Sequence, residues 1–369
     1  MQKRSLLLIS MAMSLAIILT GCFQGEQSLD DKEIDPPPNA EAVNENELDE
    51  PASGKQGDNA DKDKAEGDTS ANTVERQLYL LDANGMVAPQ TLQVPQPESK
   101  EVAAQALEYL VKDGPVTSML PNGFQAVLPA GTQILGLNLK DNGEMIVNVS
   151  KEFENYKAEN EMKILQAMTH TLTQFEQVDK VKLQIDGQLQ NTMPVNGTPI
   201  GEGYSRANGI NLVQSETVDL MQSEPVTLYY PSVQGDNQYF VPVTQHVDVD
   251  NKDIYGSMIN ELLEGPNFDT NLQHVFNGEA ELTNNPSLRD GVLEVMFSQG
   301  VLQDSQKQDG DKAVISDKVM ESLVRSLTQD KAVEAVEVKV EDVETLFNEN
   351  GEPYTEPVTK QKFISKQKL

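Results

Sequence analysis

The chain holds one cysteine, Cys22, at the end of the run Leu19-Thr20-Gly21-Cys22. A lone cysteine cannot close an intramolecular disulfide, so its chemistry has to be looked for elsewhere. It follows a short apolar stretch, residues 6–19, preceded by Lys3-Arg4. That stretch falls well short of the roughly 20 residues that span a bilayer as a helix, and it suits the core of a secretory signal. Gly21 lets a peptidase approach the backbone closely, and Cys22 supplies a nucleophilic sulfur for acylation. One acyl chain holds a protein only marginally, so durable anchoring takes two or more. The sequence therefore predicts a bacterial lipoprotein signal at 1–21, cleavage before Cys22, and a lipid tether on Cys22 at the extracytoplasmic face of the cell membrane.

Other chemistry is sparsely provided for. The three histidines are His170, His246 and His274, and none has a His or Cys neighbour at metal-ligand spacing. His170 falls two residues off the apolar stripe of a predicted helix, which predicts a solvated ring. His246 lies in the alternating stretch 241–248 as an outward strand residue. No Gly-x-Ser-x-Gly elbow, His-Glu-x-x-His helix or phosphate-binding Gly-x-x-x-x-Gly-Lys loop occurs. Glycan cleavage needs two carboxylates about 5 to 9.5 Å apart. Pairs such as Glu152/Glu154 and Glu159/Glu161 are what composition alone supplies, with 59 acidic residues against 28 basic. We expect no enzymatic activity, no metal and no cofactor.

The formal net charge of −31 argues against nucleic acid or anionic lipid surfaces as partners. The absence of tryptophan, with 5% aromatic residues, argues against a carbohydrate-stacking site. About 350 residues come after the signal, enough for two or three domains. From 23 to about 73 the chain is polar, acidic and of low complexity. It cannot bury enough apolar area to offset chain entropy, which predicts a disordered linker over 22–74 with a span of roughly 40 Å.

The elements beyond the linker occur twice, about 150 residues apart. Leu78-Tyr79-Leu80 is echoed by Leu228-Tyr229-Tyr230 as an opening strand. A helical stripe comes next, Val102, Ala106, Leu107, Leu110 and Val111 in one copy and Ile254, Met258, Ile259, Leu262 and Leu263 in the other. Both helices stop at Gly-Pro, Gly114-Pro115 and Gly265-Pro266, where glycine suits a left-handed cap and proline ends the helix. A glycine-led alternating strand running into Ser150 or Ser298, a second helix ending Leu-Thr-Gln and a closing strand complete each copy. Alternation in those strands implies a sheet buried on one face, so each copy reads as a two-layer α+β sandwich. The turn Pro129-Ala130-Gly131-Thr132 has no counterpart around Gly278, where a rebuilt loop is expected. The polar stretch 217–224 reads as the junction, and 348–369 as a basic tail that is either frayed or a small contact patch.

These blocks, in order and in duplicate, resemble the GerMN repeat of the GerM family, the sporulation and spore germination domain. They include the Gly-Pro helix end, the Pro-x-Gly-Thr turn, the strand into Val-Ser, the Leu-Thr helix end and the closing Val181-Lys182-Leu183-Gln184-Ile185-Asp186-Gly187. The second copy departs from the pattern, lacking that turn and ending Val340-Glu341-Asp342. The resemblance implies tandem domains at 75–214 and 224–347, with a fold similar to ring-building motifs. It also implies a non-enzymatic scaffold role in sporulation and germination, at the septal or intermembrane space between mother cell and forespore. The implied partners are proteins of the sporulation envelope channel complex. Peptidoglycan (cortex) binding or modification is the alternative, and a transporter's ligand-binding lipoprotein would want two larger hinged lobes. Tyr79, Tyr229, Tyr230, the turn at Pro129, Gly131 and Thr132, and the glycine-rich arm 197–209 are the candidate interaction surface.

Overall fold

Each copy opens on a long antiparallel hairpin, of which the sequence predicts the first strand in both copies and, from the alternation over 241–248, much of the second strand in the second copy. The computed structural model describes residues 73–97, 102–213, 222–249, 253–267, 270–303 and 312–364. The signal, Cys22 and the linker as far as residue 72 lie outside the described residues, as do 217–221 of the expected junction. In the first repeat β1 (Thr73–Leu81) pairs along its whole length with β2 (Val87–Pro95). In the second, β8 (Ser223–Gln234) pairs with β9 (Asn237–Asp248) through a turn at Gly235, whose φ of 62° suits the left-handed position of a tight hairpin. The returning strands carry Pro89 and Pro242, which cannot donate to a ladder. Both stand opposite the repeated tyrosines, in the pairs Tyr79↔Pro89 and Tyr229↔Pro242.

After the hairpin, the first repeat runs α1 (Val102–Glu108), β3 (Ile134–Leu139), β4 (Glu144–Val149), α2 (Glu161–Leu172), β5 (Lys180–Ile185), β6 (Gln188–Gln190) and β7 (Tyr204–Ser205). β4 and β5 are parallel with α2 as their crossover, β3 lies antiparallel beside β4, and β6 and β7 both pair with β5. The second repeat continues with α3 (Ile254–Glu264), β10 (Ser287–Arg289), β11 (Val292–Phe297), β12 (Ala313–Val314), α4 (Asp317–Leu327), β13 (Ala335–Val340), β14 (Leu346–Phe347), β15 (Val358–Thr359) and α5 (Gln361–Ile364). Here β11 and β13 are the parallel pair, with β10 and β15 on their outer sides. The helices cover one sheet face. Met145, Val147, Val149, Val181, Leu183 and Ile185 point into that layer, as do Leu293, Val295, Phe297, Val336 and Val340. The opposite face stays partly open and carries ion pairs in both copies: Glu144 with Lys180 and Lys182 at 3.5 and 3.6 Å, and Glu294 with Lys339 at 2.6 Å. This is the two-layer α+β sandwich in duplicate.

The details depart from expectation where the two copies differ. The helix α3 ends as expected at Gly265, whose φ of 90° glycine tolerates. The first repeat's α1 ends earlier, at Glu108. There Asp113 takes the left-handed conformation (φ 59°), while Gly114 is extended. Ser150 and Ser298 make no side-chain cap to the short helical turns after them. Their hydroxyls instead accept from the incoming strand, from Gln133 N at 3.1 Å and Glu281 N at 3.1 Å, and tie each sheet edge in the same way. Opposite β11 the counterpart of β3 is broken. A lone bridge at Leu282↔Phe297 is succeeded by Pro286 and the short β10. The boundary at 347 falls short of the folded unit, because residues 348–364 of the expected tail pack with the second repeat, residues 365–369 lying outside the described residues. β15 adds to the sheet, and Val358 and Phe363 are buried with the core. Its strand pairs with β13 as β7 pairs with β5, so the basic tail is the second repeat's version of the glycine-rich arm.

Candidate functional site

The residues with the most unusual environments gather where the two repeats meet. Both hairpins are buried on both faces, each against its own second helix and with β2 facing β9. Tyr79 and Tyr229 therefore sit in the middle of the molecule, each 1% exposed. Their backbones are fixed the same way: Tyr79 N donates to Thr171 Oγ1 at 3.0 Å and Tyr229 N to Ser326 Oγ at 2.9 Å. Ser322 also donates its hydroxyl to the Tyr229 carbonyl.

Around the phenols stand further residues that correspond between the repeats. His170 on α2 matches Arg325 on α4, and Arg206 after β7 matches Lys360 after β15. The His170 ring lies 5.2 Å from the Tyr79 ring. Arg206 donates to Thr173 Oγ1 at 2.9 Å and to the His170 carbonyl at 3.1 Å, with its guanidinium 5.8 Å from the Tyr79 ring centre. The Tyr79 and Tyr229 hydroxyls are in reach of one another and of Arg206. Arg325, fully buried, pairs with Glu321 at 2.7 Å and lies 5.5 Å from the Phe240 ring. Arg206 and Lys360 remain partly exposed as residues, while their charged heads are enclosed.

The electrostatics arise from this crowding. Burial pushes the Tyr79 phenol up, but Arg206 and Lys360 outweigh it and hold it below its ordinary value. Burial, with Tyr79 beside it, drives the Tyr229 phenol far above. Burial pushes Lys360 down to about 8 and is reinforced by the two arginines, although Tyr79 opposes it. His170 is pushed well below its usual range by burial and then by Arg206, only partly countered by the Gly209 backbone.

Side-chain bridges extend the seam on both sides of this cluster. Asp82 organises the β1–β2 turn by accepting from Asn84 N and Met86 N, and its other oxygen accepts from Tyr239 of the second repeat at 2.9 Å. Asn211 donates from Nδ2 to the carbonyls of Val87 and Pro242, both at 2.7 Å, and accepts from Val87 N at 2.8 Å. Ile210 N donates to Thr244 Oγ1 at 2.9 Å.

The candidate surface residues are thereby corrected or relocated. Tyr79, Tyr229 and Tyr230 are buried and offer no surface: Tyr79 and Tyr229 meet where the two repeats join, and Tyr230, on the opposite face of β8, is covered near α3 of its own repeat. Of the first turn, Pro129 and Thr132 are buried; Thr132 binds back to the Pro129 carbonyl through both N and Oγ1, leaving Ala130 and Gly131 outside. His170 is 2% exposed, not solvated, since α2 is covered on a second side by β1 and the seam. His246 is half-exposed on β9, where Nδ1 meets Ser223 Oγ at 3.2 Å. His274 sits on the Leu263 carbonyl at 2.8 Å. Among the described residues no group of three His, Cys, Asp or Glu side chains is placed to hold a metal ion.

Of the carboxylate pairs, Glu152 and Glu159 are exposed, while Glu161 is buried and has a structural task. It accepts from the N–H groups of Val195, Asn196 and Thr198 at 3.1, 2.6 and 2.8 Å and from the Tyr156 hydroxyl at 2.9 Å. Burial pushes this carboxyl up, but those hydrogen bonds prevail and hold it below the usual carboxylate range. Its stabilising contribution is therefore complete above the unfolded value of about 4.3 and is lost as pH falls through the lower folded value. Glu161→Gln is expected to cost about 2 kcal/mol at pH 7, a cost that shrinks as pH falls below about 4.3 through the lowered folded value, read from urea midpoints along that range.

A duplicated α+β sandwich joined through paired central hairpins, with its unusual groups locked in the joint, defines a tandem-repeat protein with GerMN-type domains. The family signature for sporulation and spore germination (Germane) matches residues 77–191 and 227–345, and the chain belongs to that family. It is 42% identical over 349 residues to the spore germination protein GerM of Bacillus subtilis (strain 168), covering 94% of this chain and 93% of that one. The solved tandem GerMN domains of the Bacillus subtilis sporulation protein GerM superpose with a TM-score of 0.71 at 44% identity, over 78% of this chain and 98% of that chain. The first GerMN domain of the same protein, solved alone, is 54% identical over 36% of this chain and 98% of its own length, with a TM-score of 0.34.

Proposed function

We propose that this sporulation and germination protein works without catalysis, as an assembly factor of the envelope complex joining mother cell and forespore, carried on a lipid at Cys22. The observation that carries the reading is the joint itself. Two repeats are packed into one body through a buried polar seam, and each keeps one sheet face turned outward. Such an arrangement holds two docking faces at a fixed spacing, which suits assembly better than turnover. The membrane-proximal linker and lipid would confine this body to the septal space while leaving it free to search.

The test is an in-cell crosslink of the full-length protein during sporulation, with mass spectrometry of the attached species. Recovery of integral envelope proteins is expected; recovery of peptidoglycan fragments alone, or release of soluble muropeptides by the purified protein, overturns the reading in favour of a cortex-binding or cortex-modifying role. In the same cells Cys22→Ala is expected to move the protein out of the membrane fraction or to block its processing. Unchanged membrane retention would reveal a second anchor.

A further inference from the structure

The seam concentrates three cations around two phenols, with one carboxylate bonded to one of them. Arg206, Arg325 and Lys360 converge from three elements, and Glu321 is bonded to Arg325. In the first repeat the place matching Glu321 is taken by the neutral Gln166. His170 lies inside this field, near the Gly209 backbone, with neither ring nitrogen in hydrogen-bond geometry with any described residue, and Arg325 Nη2 is likewise unpaired. Around His170 stand Tyr79 from β1, Arg206 from the turn after β7 and Lys360 from the segment after β15; Tyr229 from β8 and Arg325 and Glu321 from α4 close the cluster.

The cations differ in how firmly they are held. Arg206 makes two hydrogen bonds to α2 and its C-terminal cap and sits in a turn closed by Ser205 and Asn208, and Arg325 is on a core helix. The Lys360 ammonium has no hydrogen bond or ion pair to a described residue. It is carried by a strand of two residues and a helix of four, whose buried anchors are Val358 and Phe363.

We propose that this cluster is a proton-operated latch, in which a proton taken up by His170 expels Lys360, and with it the segment 358–363, from the seam. The proton comes from solvent onto a free imidazole nitrogen. A fourth cation then joins three in an enclosed space, and the least tethered of them leaves for water, still protonated. The closed form binds one proton fewer than the open form, so acidification favours opening. In the pH range where His170 binds a proton in the open form and not in the closed form, the open population rises by up to tenfold per pH unit.

The experiment is hydrogen exchange of residues 358–363 in the intact protein at pH 7 and pH 5, corrected for intrinsic exchange rates. Wild type is expected to lose protection there by at least tenfold at pH 5, with β4 and β5 unchanged. His170→Gln, which cannot titrate, and Lys360→Met, which has no charge to expel, should each keep the segment closed at both pH values. Equal protection of wild type at the two pH values overturns the latch, as does an acid response that persists in either variant. Titration of His170 by NMR near 6.5 in the closed protein overturns it independently of whether the variants fold.

Discussion

Leu172→Asp and Leu323→Asp are each expected to abolish cooperative folding of the repeat that carries them. Both side chains are fully buried, Leu172 in the last turn of α2 and Leu323 in the middle of α4. Removing a core leucine costs about 2 to 5 kcal/mol, and an uncompensated carboxylate in the same place adds several more. The sum reaches the whole stability of an ordinary domain, about 5 to 15 kcal/mol. The seam extends the damage across the repeat boundary. When α4 no longer orders β8, the second repeat stops covering Tyr79, Val87 and Ala88, and the Asp82–Tyr239 bond is lost. Hydrogen exchange in Leu323→Asp should therefore show β1 and β2 losing protection although the substitution lies in the other repeat. Intact protection of β1 would mean that the two repeats fold independently, and a native urea midpoint would mean that the helix face is wrongly placed.

The elements that buried one face were readable, and those that buried two were not. Strict alternation in 145–149 and 181–185 announced the parallel strands because their other face stays partly open. The helix α2 also showed its core stripe, yet residues 164–172 are all buried because a second layer lies across them. That layer is the neighbouring hairpin, which periodicity within one element cannot report. For the same reason His170 looked solvated and the tyrosines looked available. The returning strand β2 was obscured by Pro89 and Pro95, which argue against a strand in general, whereas alternation over 241–248 showed much of β9 despite Pro242; Pro89 and Pro242 are tolerated opposite the tyrosines and Pro95 at the strand end opposite Thr73. The tail misled through composition: its lysines suggest a solvated end, while two apolar residues, Val358 and Phe363, suffice to dock it. The internal repeat holds a further sign of the seam. Arg206 and Lys360 fall at matching places in the two copies, each just after a strand that pairs with the closing strand of its sheet.

Asn211→Ala is expected to cost about 3 to 4 kcal/mol, more than any other single polar truncation in the seam. Asn211 stands in for a strand partner between two edges that lack one. Its carboxamide accepts from Val87 N and donates to the carbonyls of Val87 and Pro242, so one side chain joins β2 of the first repeat to β9 of the second. Its own N–H donates to Gln166 Oε1 at 3.3 Å. Alanine leaves the Val87 N–H and two carbonyls short of partners in a place with little water, at about 1 kcal/mol or more for each. It also inherits a φ of 47°, which asparagine tolerates and alanine resists by a further 1 kcal/mol or so. Asn211→Gly separates the two terms, because glycine accepts the backbone and still loses the bonds; it should recover about 1 kcal/mol relative to alanine. Asn211→Asp keeps the shape but turns a donor toward two carbonyls into an acceptor, and should be at least as damaging as alanine. Urea unfolding of the three variants measures the order. If all three unfold within about 1 kcal/mol of wild type, the seam is held by its apolar contacts and the bridge is incidental; if glycine and alanine cost the same, the strain at 47° contributes nothing.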